Sequence, residues 1–345
     1  MGEAALRTLY ELAATWETLH AQVEKGALAP DAVAARLAPL VGVDERGKRW
    51  TVSLDGTWTE AGAVPAKAAG ADERALRAAL KELDALTGLD VVKRQVKELT
   101  ALVRVQRMRR AADLPVAVMS YHLVFRGNPG TGKTTVARLI GRIYAALAVV
   151  PTGQVVETDR AGLVAEYVGQ TAIKTTAQFE KARGGILFID EAYTLARDAG
   201  SASGFGQEAI DTLVKLMEDH RDDTVVIAAG YPAEMDAFVA ANPGLRSRMP
   251  RTVDFPDYTD DELLTIFAGQ CRAAGYTATA SAKARVRALL AASERGPGFG
   301  NARAVRTLFE QAVRTQALRL AKERDPTRGE LRALTGDDVA PDLTT

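Results

Sequence analysis

Eight consecutive residues, Gly127, Asn128, Pro129, Gly130, Thr131, Gly132, Lys133 and Thr134, stand between a short apolar stretch at 121–125 and a helical pattern that opens at Thr135. An order of strand, glycine-rich loop and helix leaves few folds open. The loop must turn tightly while its main-chain N–H groups and the helix N-terminus face one concavity, which is a site for an anion. In this pattern the lysine, Lys133, reaches the outer phosphates of a nucleoside triphosphate, and the hydroxyl of Thr134 ligates Mg²⁺. The bland alternative, a flexible turn that merely precedes a lysine, accounts for neither flank.

A second element fixes the chemistry. Ile186, Leu187, Phe188 and Ile189 read as a strand buried on both faces, and the strand ends in Asp190 and Glu191. Ligands of open α/β sheets bind at such strand ends. Asp190 is placed to hold the Mg²⁺ shell, and Glu191, one residue on, to polarise the water that attacks the γ-phosphate. These are the Walker A and Walker B patterns of an ATP-binding, ATP-hydrolysing site.

Composition removes several other classes of function. Forty-four Lys and Arg balance forty-four Asp and Glu over 345 residues, so charge argues for neither a nucleic-acid partner nor an acidic tail. The single cysteine, Cys271, excludes an internal disulfide, and His20, His122 and His220 lack metal-ligand spacing and read as surface or packing residues. No apolar run approaches the roughly 18 residues a membrane helix needs, and no leader pattern opens the chain, so membrane insertion is not expected and the cytoplasm is the default location.

Along the chain, residues 1–25 and a stretch after Pro30 carry helical periodicity, and alternation around Trp50, a turn at Asp55 and Gly56, and Trp58 read as a hairpin. Residues 1–60 are therefore expected to form a small helix-helix-hairpin module with Trp16 and Trp50 in its core, and 61–72 a flexible linker. Helices are expected at 73–85 and 90–112. The arginines of the second read as a solvated face, because acidic residues flank them and no aromatic interleaves. Strands at 121–125, 154–158, 186–190, 224–228 and 252–255 alternate with helices, which predicts a parallel five-stranded sheet within an α/β domain at 73–256. From 257 to 345 the pattern is helical, with a capping box at Thr259 and Glu262, helices near 281–294 and 301–323, and a short helix start at Thr335.

Several residue groups together carry a family resemblance: the span from Leu86 to Asp90, the phosphate loop through Thr135, Tyr167 to Gly169, Asp190 to Tyr193, Phe205 to Ala209, Ala229 to Tyr231, Asn242 to Gly244, and Phe299 to Arg303. Over about two-thirds of the chain they resemble AAA+ ATPases. The likeness is to the bacterial group containing the red-type Rubisco activase, the stage V sporulation protein K and the type VII secretion ATPase. Residues 1–60 resemble no partner of that group.

The resemblance implies a ring, expected as a hexamer, that binds ATP and Mg²⁺. It implies that Arg248, with Arg246 beside it on what reads as a loop, serves the nucleotide of a neighbouring subunit. It implies that Arg303 joins the helical lid to the phosphates, and that Tyr231 stands where many members carry a polar sensor. Tyr167, Val168 and Gly169 match the pore loop that grips polypeptide, and 198–204 read as a second mobile loop. The expected function is an ATP-driven, chaperone-like motor that remodels a protein client docked through residues 1–60. The alternative is a nucleotide-driven switch or loader on a nucleic-acid or other macromolecular assembly.

Overall fold

The computed structural model describes the main chain of residues 49–52 and 58–61, and residues 72–117, 119–167, 169–196 and 204–339. The expected helices of residues 1–25 and after Pro30, the burial of Trp16 and Trp50, the turn at Asp55 and Gly56, His20, the linker stretch 62–71, Val168 and the loop 198–203 lie outside those descriptions. The chain divides into two compact units, 1–66 and 67–345. In the first, β1 (Arg49–Val52) pairs antiparallel with β2 (Trp58–Ala61), as the hairpin reading requires.

The second unit begins with α1 (Glu73–Ala85). The carboxylate of Asp72 accepts from the N–H groups of Arg74 and Ala75, and Leu76, Ala79 and Leu83 fall on one buried face. Such a cap is worth about 1 kcal/mol. Next comes α2 (Asp90–Ala111), whose Arg94, Lys97, Arg104, Arg109 and Arg110 are exposed, as the solvated-face reading expects; Lys97 pairs with Asp84, Arg104 with Glu73, and Arg109 donates to Pro115 O.

Five parallel strands follow, β3 (Leu123–Gly127), β4 (Val155–Thr158), β5 (Ile186–Ile189), β6 (Val225–Gly230) and β7 (Arg251–Phe255), in the spatial order β4-β5-β6-β3-β7. Between them run α3 (Lys133–Ala146), α4 (Arg160–Leu163), α5 (Thr171–Lys181), α6 (Phe205–Asp219), α7 (Pro232–Ala241) and α8 (Pro243–Arg248). Alternate strand residues feed two cores. Leu123, Phe125, Ile186, Phe188, Val225 and Ile227 join the cluster under α1 to α3, while Val124, Leu187, Ile189, Val226 and Ala228 join the one under α5 to α7. This period of two on strands with no polar face is the signature of a sheet covered on both sides.

The first strand runs two residues beyond its expected end. Gly127 is paired with Phe255 of β7, and a Cβ there would lie 2.4 Å from the main-chain oxygen of Phe255, so only glycine lets the strands stay in register at this level. The arginine pair expected on a loop stands instead on the six-residue helix α8. Pro243 at its first turn fixes φ for helix and has no N–H to lose there.

The helical region holds α9 (Asp260–Ala273), α10 (Ala280–Ala292), α11 (Ala302–Leu320) and α12 (Arg328–Arg332), with a short 3-10 turn at Gly336–Asp338. The capping box at Thr259 and Glu262 is present on α9. Sequence periodicity gave no sign of a two-residue parallel pair, β8 (Thr277–Ala278) with β9 (Ala333–Leu334), because so short a contact leaves no pattern. Leu263, Phe267, Val286, Leu290, Val305 and Leu308 continue the same core that lies under α1 to α3. The lid is therefore packed onto the sheet domain by apolar contact.

Candidate functional site

A cavity of about 510 Å³ opens at the C-terminal ends of β3, β5 and β6. Its floor is the phosphate loop. α3 starts directly from Gly132, which has φ of +93°, and no side chain caps the helix. Its first N–H groups therefore remain for an anion. Gly130, with φ of +70°, passes so close to the lid that a Cβ would lie 2.2 Å from the oxygen of Gly300.

Gly127, Pro129, Gly130, Gly132, Lys133, Thr134 and Thr135 line the cavity, together with Asp190, Glu191, Tyr231 and Arg303. The side chains of Asn128 and Thr131 do not. Thr131 Oγ1 donates to Asn128 O at 2.8 Å, and Asn128 Nδ2 donates to both carboxylate oxygens of Asp257 at 3.0 Å, so these two shape the loop and offer a phosphate only their main-chain N–H. Lys133 Nζ donates to Gly127 O at 2.8 Å and Asn128 O at 2.9 Å. Burial lowers its pKa; Asp190 and Glu191 oppose that shift and Arg303 adds to it.

The acidic pair sits where β5 ends. Glu191 has φ of 46°, a left-handed value that non-glycine residues adopt at a cost of about 1–3 kcal/mol. It is held there locally: its N–H donates to Asp190 Oδ1 at 3.1 Å, and its C=O accepts from the N–H and Oγ1 of Thr194 at 2.9 and 2.7 Å. Thr134 and Asp190 supply hard oxygen atoms to one cavity, a donor set that fits Mg²⁺ shared with phosphate oxygens. Among the described residues no group of three or more His, Cys, Asp or Glu is arranged to hold a metal on its own.

The opposite wall belongs to the lid, and here sequence reasoning found Arg303 but missed the rest. Gln270 on α9 and Arg306 on α11 also line the cavity. Arg306 follows Arg303 by one helical turn, a spacing that could have flagged it. Gln270 carries no signal. The wall hangs on Asn301, fully buried at φ of 47°, whose Nδ2 donates to Asp257 Oδ1 at 2.7 Å and to Phe299 O at 3.0 Å, and whose Oδ1 accepts from Tyr258 N–H at 2.9 Å. Ala302 N–H donates to Gly130 O at 3.2 Å, and Tyr258 OH to Thr131 O at 3.3 Å. Loop and lid are bonded directly.

A second cavity of about 630 Å³ lies on the other side of Asp190 and Glu191, walled by α4, residues 164–166, Lys174, Thr194 and Phe205. Tyr167, which follows Glu166 in the chain, is 67% exposed, and Gly169 two residues on has φ of +78°. Of the arginines on α8, Arg246 is exposed and has no ion-pair partner among the described residues. Arg248 is half-buried, its Nη2 is 3.4 Å from Glu218, and its Nε is buried without a partner.

A phosphate loop, an acid pair at the end of a buried strand and a helical lid over both define a nucleoside triphosphatase. Residues 123–257 match the "ATPase family associated with various cellular activities (AAA)", and 259–345 match its lid domain. The chain is 43% identical over 263 residues to stage V sporulation protein K of Bacillus subtilis, covering 75% of this chain and 81% of that one. It is 43% identical over 242 residues to protein CbbX of Cereibacter sphaeroides, covering 70% and 78%. It is 42% identical over 282 residues to ESX-1 secretion system protein EccA1 of Mycobacterium tuberculosis, covering 78% of this chain and 49% of that one. The AAA domain of FIGL-1 matches its fold at a TM-score of 0.53 and 18% identity, over 78% of this chain and 87% of the other. The chain belongs to the AAA ATPase family and is an ATP-hydrolysing enzyme.

Proposed function

We propose that this ATPase is a ring-forming motor, most simply a hexamer in the cytoplasm, that pulls on a protein client through the loop carrying Tyr167, Val168 and Gly169. The observation that carries the reading is that Asp190 and Glu191 line both cavities, the first of them walled by the phosphate loop and the second by residues 164–166, which directly precede Tyr167 in the chain. A change in the γ-phosphate is thereby felt on the loop side without a long relay. Arg160 Nη1 donates to Thr194 O at 2.7 Å, Lys174 Nζ to Val164 O at 2.9 Å, and Thr171 Oγ1 accepts from Ala165 N–H at 3.1 Å, so the approach to Tyr167 is braced from the catalytic turn and from α5. An exposed aromatic suits sequence-independent grip on extended polypeptide. No helix among the described residues is long and apolar enough to cross a membrane.

Within that reading the α/β part spans 73–256, the lid spans 257–345, and residues 1–60 on the 61–72 linker dock the client. Lys133 and the loop N–H groups hold the β- and γ-phosphates. Thr134 and Asp190 hold Mg²⁺, which when bound neutralises developing charge. Glu191 orients and polarises the attacking water. Arg303 ties the lid to the phosphates. On so short a helix, residues two apart project to different sides, so only one of Arg246 and Arg248 serves a neighbour's γ-phosphate. Arg248 is favoured by its place in the sequence pattern, and its guanidinium would leave Glu218, 3.4 Å away, to serve there; Arg246 is the exposed one of the two.

Glu191→Gln tests the assignment. It should retain ATP, lose turnover and trap the client on the ring; turnover at the native rate would sink it. If nucleic acid rather than protein is trapped, the loader reading replaces the motor.

A further inference from the structure

The lid offers the cavity a second cation besides Arg303. Val305, Leu308 and Ala312 hold one face of α11 in the core, which leaves Ala302, Arg303 and Arg306 together on the face that lines the cavity. The start of that helix is tied to the phosphate loop by the bond from Ala302 N–H to Gly130 O. Arg306 is exposed, and its Nε donates to Glu310 Oε1 at 2.9 Å in an i,i+4 pair whose side chains are 74% and 60% exposed. Its two Nη groups have no hydrogen-bond partner among the described residues.

The side-chain charges of the cavity decide what this guanidinium is for. Lys133 and Arg303 are matched in number by Asp190 and Glu191, so Arg306 alone gives the lining side chains a positive excess. A nucleotide brings phosphate oxygens, which carry more negative charge than one Mg²⁺ neutralises and which accept from a guanidinium in good geometry. The competing partner is weak. An exposed i,i+4 ion pair on a helix is worth about twofold in an equilibrium, whereas a hydrogen bond from arginine to a charged acceptor is worth about tenfold or more. We propose that Arg306 is a second phosphate-binding residue of the lid, and that nucleotide binding exchanges its bond to Glu310 for one to a phosphate oxygen. The lid then grips the phosphates from two points one helical turn apart. This inference rests on the reading of the cavity as the ATP site and adds a binding residue to it.

The test measures equilibrium binding of ATP with Mg²⁺ to the full chain as wild type, Arg306→Ala, Arg306→Lys and Glu310→Ala. Arg306→Ala should bind about tenfold more weakly, and its deficit should shrink as salt is added, as the loss of a charged contact requires. Arg306→Lys keeps the charge without the fork and should recover only part of the loss. Glu310→Ala breaks the same ion pair from the other side, and it should bind as tightly as the wild type or about twofold tighter. A deficit in Glu310→Ala equal to that in Arg306→Ala would make the pair a brace of α11, and unchanged affinity in Arg306→Ala would leave the guanidinium in solvent; either result overturns the inference. Should Arg306→Ala unfold at a lower temperature than Glu310→Ala, Arg306→Gln, which keeps most of the stem, must show the same tenfold loss in its place, and wild-type affinity there is equally fatal. Lys133→Ala separates this inference from the reading beneath it. If Lys133→Ala binds ATP as the wild type does, the cavity is not the ATP site; if it loses binding and Arg306→Ala does not, only the role of Arg306 fails.

Discussion

The two walls of the ATP cavity are built on different principles. The sheet wall is made of main chain and strand ends: a loop with two left-handed glycines, a helix start without a cap, and an acid pair at the end of a strand buried on both faces. The lid wall is made of side chains from α9 and α11, held by one buried asparagine and its bonds to Asp257 and Tyr258. A wall of main chain in a five-stranded sheet is rigid and can hold charge in fixed geometry. A wall of side chains, packed behind by apolar contact and tied to the loop by a few hydrogen bonds, can shift at the cavity where those bonds break. The difference assigns chemistry to the sheet and response to the lid.

The largest effect should come from the sheet wall. Glu191→Gln removes the carboxylate proposed to polarise water, and turnover should fall about 10²- to 10⁴-fold with ATP affinity kept, as read by single-turnover hydrolysis alongside equilibrium binding. A change of comparable size in affinity instead would blur the division of labour.

Acid should separate the two regions next. His122 lies buried at the foot of β3, its Nδ1 accepting from Val226 N–H at 2.9 Å, and burial lowers its pKa from 6.5 to about 4. The unfolded chain binds a proton below about 6.5 that the native sheet refuses until about 4, so stability is full above that window and falls with pH through it, by about 3 kcal/mol in all. In the lid, burial pushes the Asp338 carboxyl up, but bonds from Arg319 at 2.9 Å and from Thr335 outweigh it and hold the pKa below the usual carboxylate value. Its contribution is present above the ordinary carboxylate pKa and disappears only at lower pH. Unfolding followed by amide exchange between pH 7 and 4 should show the sheet weakening first, and His122→Gln should flatten that slope.

Asn301→Ala removes the buried partner of Asp257 and Tyr258 and puts alanine at a φ of 47°, so a loss of about 1–3 kcal/mol is expected from the orphaned groups alone. The sharper readout is the ATP-to-ADP affinity ratio, which should move toward one as the lid ceases to follow the loop. An unchanged ratio would mean that the lid does not respond.

The smallest effect should be that of Arg160→Ala. It deletes the bond to Thr194 O, worth about 0.5–1.5 kcal/mol in stability, and should lower client-stimulated hydrolysis relative to basal hydrolysis. Equal loss of both rates would argue that Arg160 braces the fold without linking the cavities.

The sheet wall was legible in the sequence because its parts are contiguous: eight residues for the loop, six for the strand and its acids. The buried runs of β5 and β6 and the capping box of α9 were legible for the same local reason. The lid wall was not, apart from Arg303. Asn128 and Asp257 meet across 129 residues of chain, and Gln270 is an ordinary polar residue on an amphipathic helix until the fold turns it into the cavity. The arginines of α8 read as a loop because two prolines and a glycine in so short a stretch look like turn chemistry, whereas Pro243 in fact opens a helix.

The account stands or falls on a site completed by a neighbouring subunit. Lys133→Ala and Arg248→Ala proteins should each be inactive, and mixing them should restore part of the ATP turnover, at interfaces where an intact loop meets an intact arginine. If rings shown to contain both proteins recover nothing, while the same mixture made with Arg246→Ala does or neither does, Arg248 is not the arginine that completes the site.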